Sequence, residues 1–292
     1  MKQKFRDGTV VHLPNGQDRL LALLYGRAWG RALLKPLTTP ILSRAAGWLL
    51  STRASCVLIH PFIRKNNIDM TQFEPAQYKS YNDFFSRKIL ASARHIDCEP
   101  THLISPCDSK LTVFPITPDG RFTIKHTQYT VSSLLKDEKL AREYEGGTLL
   151  VFRLTVDDYH RYCYIANGIR EQFVSIPGIL HTVNPIANDY FPIYKENARE
   201  YCVFHTREFG DVLIMEVGAL LVGKIVNYPL SPQVQRGQEK GCFRFGGSTI
   251  VLLLKHDTVK IDADIVLNSQ TGYETVVKYG EKIGISKIDS IR

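Results

Sequence analysis

The sequence predicts an α+β chain, with basic amphipathic helices at the N-terminus followed by a β-rich body. Three observations carry this expectation. Residues 1 to 70 hold eleven Lys and Arg against three Asp, so the whole net charge of +8 resides there and the remainder is balanced. Leucines and both tryptophans crowd the stretch from Leu20 to Leu50, between widely spaced cations. Beyond Ser105, short β-branched or aromatic runs alternate with turn residues. The 292 residues are 44% hydrophobic and 23% charged, enough for one large domain or two modest ones. Ordinary Gly and Pro counts exclude collagen-like and low-complexity chains.

Leu20 to Leu50 combines a large apolar face (Leu20, Leu21, Leu24, Trp29, Leu33, Leu34, Trp48) with Arg27, Arg31, Lys35 and Arg44. Such a pattern suits a helix lying in the headgroup region, where apolar burial and attraction to anionic lipid add together. Nucleic-acid binding does not require so much leucine. The cations interrupt every run approaching the roughly 18 apolar residues of a spanning helix. The competing reading packs the Leu faces on the protein's own core. Asn66-Asn67 and Pro75 then break the helical pattern, which divides the chain into a helical membrane-surface region, 1–70, and a β-rich body, 71–292.

Within the body, Tyr81 to Phe85 reads as a short helix. Strands are expected at Leu111 to Phe114, Thr148 to Arg153, Tyr201 to His205, Val212 to Glu216, Ile225 to Tyr228 and Thr249 to Leu254. Only Ser132 to Glu143 looks helical beyond them, with Ser132 as its N-cap. Six scattered cysteines (56, 98, 107, 163, 202, 242) do not form a disulfide scaffold and suit a reducing compartment. His160-x-x-Cys163 and Cys202-x-x-His205 have zinc-like pair spacing, but on strands an i, i+3 pair points to opposite faces, so no metal is expected.

The chemistry-bearing segment is Phe243-Arg-Phe-Gly246-Gly247-Ser248-Thr249-Ile-Val-Leu252. Read locally, the glycines make a turn or bulge into a buried strand. Read functionally, a glycine before a serine in a constrained bend lets the hydroxyl approach the preceding carbonyl for an intramolecular acyl shift.

Taken with five further blocks, this segment resembles the phosphatidylserine decarboxylases, self-cleaving pyruvoyl enzymes. The blocks are Ser80-Tyr-Asn-Asp-Phe-Phe-Ser-Arg-Lys88, Ser105-Pro-Cys-Asp108, Asp158-Tyr-His-Arg161, Val183-Asn-Pro185 with Glu196-Asn-Ala-Arg-Glu200, and Val217-Gly-Ala219. The resemblance implies cleavage between Gly247 and Ser248, with Ser248 becoming a pyruvoyl group. Fragments 1–247 and 248–292 would stay together as a heterodimer. Decarboxylation of phosphatidylserine to phosphatidylethanolamine and CO2 would then run through a Schiff base to that group, and neither pyridoxal phosphate nor metal is needed. The family's partners of the serine are Asp108 and a histidine of the Asp158 block. The implied location is the cytoplasmic side of the cell membrane, peripherally attached to anionic phospholipid, with no nucleic-acid partner.

Three positions depart from the family pattern. Relatives read Asp-Tyr-His-Arg-x-His, with the second His as cleavage base, where this chain has Cys163. Their Ala-Asp-Gly is here Cys107-Asp108-Ser109, and a commonly aromatic position is His181. Either His160 does both jobs, or His181 or a Cys163 thiolate is the substitute base. The alternative to an active enzyme is an unprocessed, non-catalytic lipid-binding relative.

Overall fold

Ser248 to Leu254 has too few polar positions for a strand with one wet face, and such a run belongs inside a sheet covered on both sides. A computed structural model describes residues 2–12, 21, 23–124, 126–188, 190–219, 224–229, 231–244 and 248–288. In it, Ser248–Leu254 is buried along its whole length between Gly210–Val217 and Thr148–Leu154, antiparallel to both. Ser248 stands opposite Leu154, and Thr249 opposite Val217. Leu150, Phe152, Ile250 and Leu252 enter one hydrophobic cluster, while Leu149, Val151, Val251 and Leu253 enter another. The two-residue repeat of a strand thus feeds a core layer on each face.

Among the described residues the large sheet has eleven strands. Their order is Gln233–Val234, Gly168–Arg170, Arg199–Thr206, Gly210–Val217, Ser248–Leu254, Thr148–Leu154, Ser109–Pro115, Glu274–Val277, Lys2–Lys4 and Val10–His12, with Val174–Ile176 paired to Arg199–Thr206. A separate three-stranded sheet holds Lys224–Asn227, Glu239–Arg244 and Arg161–Cys163. The chain therefore leaves the small sheet at Arg244 and enters the large one at Ser248. Gly246 and Gly247, the expected turn and cleavage site, lie outside the described residues.

All six expected strands form, each within a residue or two of its sequence bounds. Tyr81–Phe85 is helical, capped by Ser80, whose Oγ accepts the Asp83 N–H at 3.1 Å. The helix expected over Ser132 to Glu143 is two helices, Val131–Leu135 and Glu138–Arg142, because Lys136 adopts a left-handed φ of 54°. Its N-cap is Thr130 rather than Ser132, since Thr130 and Ser133 close a reciprocal capping box. Ala263–Gln270 was not expected as helix, for its apolar Ile265, Val266 and Leu267 are consecutive rather than spaced by three or four.

The N-terminal region is helical only after its first twelve residues. Lys2–Lys4 pairs parallel with Glu274–Val277, and Val10–His12 folds back on it through an Asp7-Gly8 turn with Gly8 at φ 93°. Arg6 binds Asp262, Asp264 and Glu281, tying the terminus to the body. Helices then occupy Ala28–Leu37, Pro40–Leu49 and Ile59–Asn66. Tyr25 and Leu34 are buried against the body's core. Leu23, Trp29, Leu33, Leu49 and Leu58 are exposed, as are Trp48 at 73% and Val57 at 74%. No helix among the described residues is long and apolar enough to cross a membrane.

Candidate active site

Thr148–Leu154 ends in a turn built by Asp158, whose carboxylate accepts the Thr155 N–H at 2.7 Å and Thr155 Oγ1 at 2.9 Å. Lys110 reaches across from Ser109–Pro115 and donates to both Asp158 oxygens at 2.7 and 2.6 Å and to Thr155 Oγ1 at 2.7 Å. Burial raises the Asp158 pKa, and Lys110 opposes that shift. This network fixes the Thr155 carbonyl, which accepts from His160 Nε2 at 3.0 Å. With the proton on Nε2, Nδ1 is the acceptor nitrogen. Ser248 Oγ lies 3.3 Å from Nδ1 and donates to it.

Both partners are fully buried. Phe85 covers the imidazole, its ring centroid 4.2 Å away. Burial pushes the His160 pKa down to about 3, with the Thr155 carbonyl opposing and the Arg87 and Lys110 charges adding to the fall. The ring is thus neutral, and Nδ1 is open to a proton at any ordinary pH. A buried hydroxyl addressed to a neutral imidazole, itself oriented by a backbone carbonyl, is the arrangement that activates a serine nucleophile.

Residues 81–285 match the family model described as phosphatidylserine decarboxylase. The chain is 50% identical over 271 residues to phosphatidylserine decarboxylase proenzyme 2 of Clostridium acetobutylicum, covering 92% of each chain. The chain belongs to the phosphatidylserine decarboxylase family. Proenzymes of Ruminiclostridium cellulolyticum (42% over 272 residues, 91% of each chain) and Clostridium botulinum (42% over 250 residues, 84% of this chain and 85% of the other) are similar to it as well. It is accordingly an enzyme of that family, a decarboxylase of phospholipid biosynthesis made as a zymogen.

The other sequence-derived site residues fall into two further groups. Asp108 is buried and held by Arg94, whose Nε donates at 2.9 Å, by the Tyr279 N–H at 2.8 Å, and by Lys278 at 3.7 Å. Burial pushes its pKa up, but these donors outweigh burial and hold it below the ordinary carboxylate value. The Thr155 carbonyl, not Asp108, is the group hydrogen-bonded to His160 Nε2. Cys163 lies near Asp108, its N–H on the Pro106 carbonyl at 2.9 Å. Burial pushes the thiol up to about 12, so it stays protonated.

His181 stands elsewhere, with Nδ1 3.4 Å from Tyr25 Oη and its ring stacked 4.5 Å from Phe191. It lines an apolar cleft of about 530 Å³ together with Leu34, Lys35, Thr38 and Ile179. The zinc-like pairs also separate: His160 faces Ser248, while His205 binds Asp211 and Glu171 at an exposed position. Sequence reasoning missed Lys110, Thr155 and Phe85. The signal for Phe85 was its place in the Ser80 block, whereas nothing local marks Lys110 or Thr155, whose roles depend on neighbouring strands.

Proposed function

We propose that the chain cuts itself between Gly247 and Ser248 and, so matured, decarboxylates phosphatidylserine to phosphatidylethanolamine at a membrane surface. The observation that carries this is the hydrogen bond from Ser248 Oγ to the acceptor nitrogen of a neutral, buried His160. In this reading Oγ attacks the Gly247 carbonyl while Nδ1 takes the hydroxyl proton and returns it to the departing Ser248 nitrogen. A standing imidazolium would be costly in so dry a site, and a proton that is passed on at once avoids it. The resulting ester loses the Gly247 carboxylate by β-elimination, leaving dehydroalanine at 248. Water then releases ammonia and leaves a pyruvoyl group.

Ser248 suits that role, since it opens a fully buried strand with its hydroxyl already committed to a base. The pyruvoyl carbonyl would supply the electron sink that a serine headgroup needs to release CO2. Around it, this chain's residues exclude water through Phe85 and hold the His160 ring through Thr155, Asp158 and Lys110. Loss of CO2 from a carboxylate consumes one proton, which His160 Nδ1 would take up from water admitted with the substrate and hand to the substrate carbon. The two fragments would remain one body, because Ser248–Leu254 and Glu274–Val277 are paired on both sides with strands of the N-terminal fragment. Attachment to anionic phospholipid is supported by the cationic N-terminal region and by its outward Trp29, Leu33, Trp48, Leu49 and Val57. The cytoplasmic face of the cell membrane is the proposed site.

Intact-mass analysis tests the proposal. Wild-type protein should give two fragments, the C-terminal one with a blocked N-terminus, and Ser248→Ala a single chain of 33.2 kDa. A wild-type chain recovered uncut, with an ordinary serine, would favour a non-catalytic lipid-binding protein.

A further inference from the structure

The segment Phe85 to Ile89 runs alongside Tyr159 to Arg161. Phe85 packs on His160, the Ser86 carbonyl accepts from Arg161 Nε at 2.8 Å, and the Ile89 N–H donates to Tyr159 Oη at 3.4 Å. Arg87 lies within this seam, so its charge is felt at His160. The residue is 2% exposed, and its Nε, Nη1 and Nη2 all lack a hydrogen-bond partner. Its guanidinium carbon sits 4.2 Å from the Phe73 ring and 4.9 Å from the Phe84 ring.

A buried guanidinium without an acceptor is costly, and proteins rarely keep one without a counter-charge. The neighbouring carboxylates are engaged elsewhere: Asp108 with Arg94, Asp158 with Lys110, and Asp83 with the Lys79 N–H. Aromatic rings satisfy the faces of a guanidinium plane, whereas its N–H groups point outward along the edge and match the paired oxygens of an oxyanion. Although burial lowers the Arg87 pKa, it falls only to about 10, and the side chain stays charged at neutral pH.

We infer that Arg87 is the receptor for an oxyanion of the substrate headgroup, the phosphodiester or the carboxylate of a serine phospholipid. The inference rests on the decarboxylase reading above. Of the two oxyanions, the phosphodiester is favoured. It keeps its charge throughout the reaction, whereas a carboxylate clamped by a guanidinium is stabilised against leaving as neutral CO2.

The test separates maturation, which needs no lipid, from turnover of a soluble short-chain phosphatidylserine. Arg87→Met and Arg87→Gln should both mature into two fragments. Their kcat/KM should fall by about a hundredfold, mainly through KM, with part of the loss restored in Arg87→Lys. Inhibition of the wild-type and Arg87→Met enzymes by glycerophosphoethanolamine, which has only the phosphodiester, and by L-serine, which has only the carboxylate, identifies the group bound. Weakened inhibition by either one supports the inference. Unchanged kcat/KM, or undiminished inhibition by both, overturns it. Variants that fail to mature assign Arg87 to the fold and overturn it equally. A wild-type enzyme that neither cuts itself nor decarboxylates sinks the parent reading, and this one with it.

Discussion

Lowering the pH from 7 to 5 should leave the rate of self-cleavage nearly unchanged. A histidine with its ordinary pKa near 6.5 would go from about 76% neutral at pH 7 to about 3% at pH 5, so a cleavage step needing its free nitrogen would slow about 25-fold. Burial holds His160 at about 3, which leaves the ring about 99% neutral at pH 5. Chain made in a short cell-free pulse and diluted into buffers from pH 5 to 8 can be followed by loss of the 33.2 kDa band. Rates agreeing within about twofold are expected, and an inflection near 6.5 would refute the desolvated imidazole.

The same shift predicts a stability trend in the uncut Ser248→Ala chain. Between about pH 6.5 and 3 the unfolded state binds a proton at His160 that the folded state refuses. The stabilising contribution of a neutral His160 is therefore complete above about 6.5 and is lost as pH falls toward 3, at up to about 1.4 kcal/mol per unit. Subtracting the curve of Ser248→Ala/His160→Gln isolates this contribution from that of Asp158, whose pKa burial raises.

Cys163→Ala and His181→Ala should both mature at near wild-type rates, since the thiol stays protonated and His181 bonds Tyr25 rather than Ser248. Loss of cleavage in either variant, on denaturing gels, would return that residue to the role of base. Lys110→Met strands the Asp158 carboxylate in the interior and should cost about 3–5 kcal/mol, read as a lower Tm in the Ser248→Ala background. Slower maturation should accompany it, because the Thr155 carbonyl loses part of its support. Trp29→Ala/Trp48→Ala should weaken binding to vesicles containing anionic phospholipid by about tenfold or more. Undiminished sedimentation with such vesicles would remove these side chains from the membrane face.

The strands of the body were legible because alternation and β-branching are local properties, and Thr148–Leu154 and Ser248–Leu254 fell where their residues indicated. The N-terminal strands were not, since Lys2–Lys4 is a strand only through the edge of Glu274–Val277, supplied by the far end of the chain. Within the helices of residues 28 to 66, Leu34 packs on the core while Trp29 and Leu33 face outward. Burial, and not residue type, divides them.

By itself the sequence indicated the family, because its six ordered blocks are each written in consecutive residues, and it singled out the bond before Ser248 as the one to test. It left three candidate bases standing. Tertiary structure set where they stand: pairing Ser248 with Leu154 brings Oγ to a histidine 88 residues away, and the turn after that strand orients the ring. Sheet register sets such distances, and no spacing along the chain contains them.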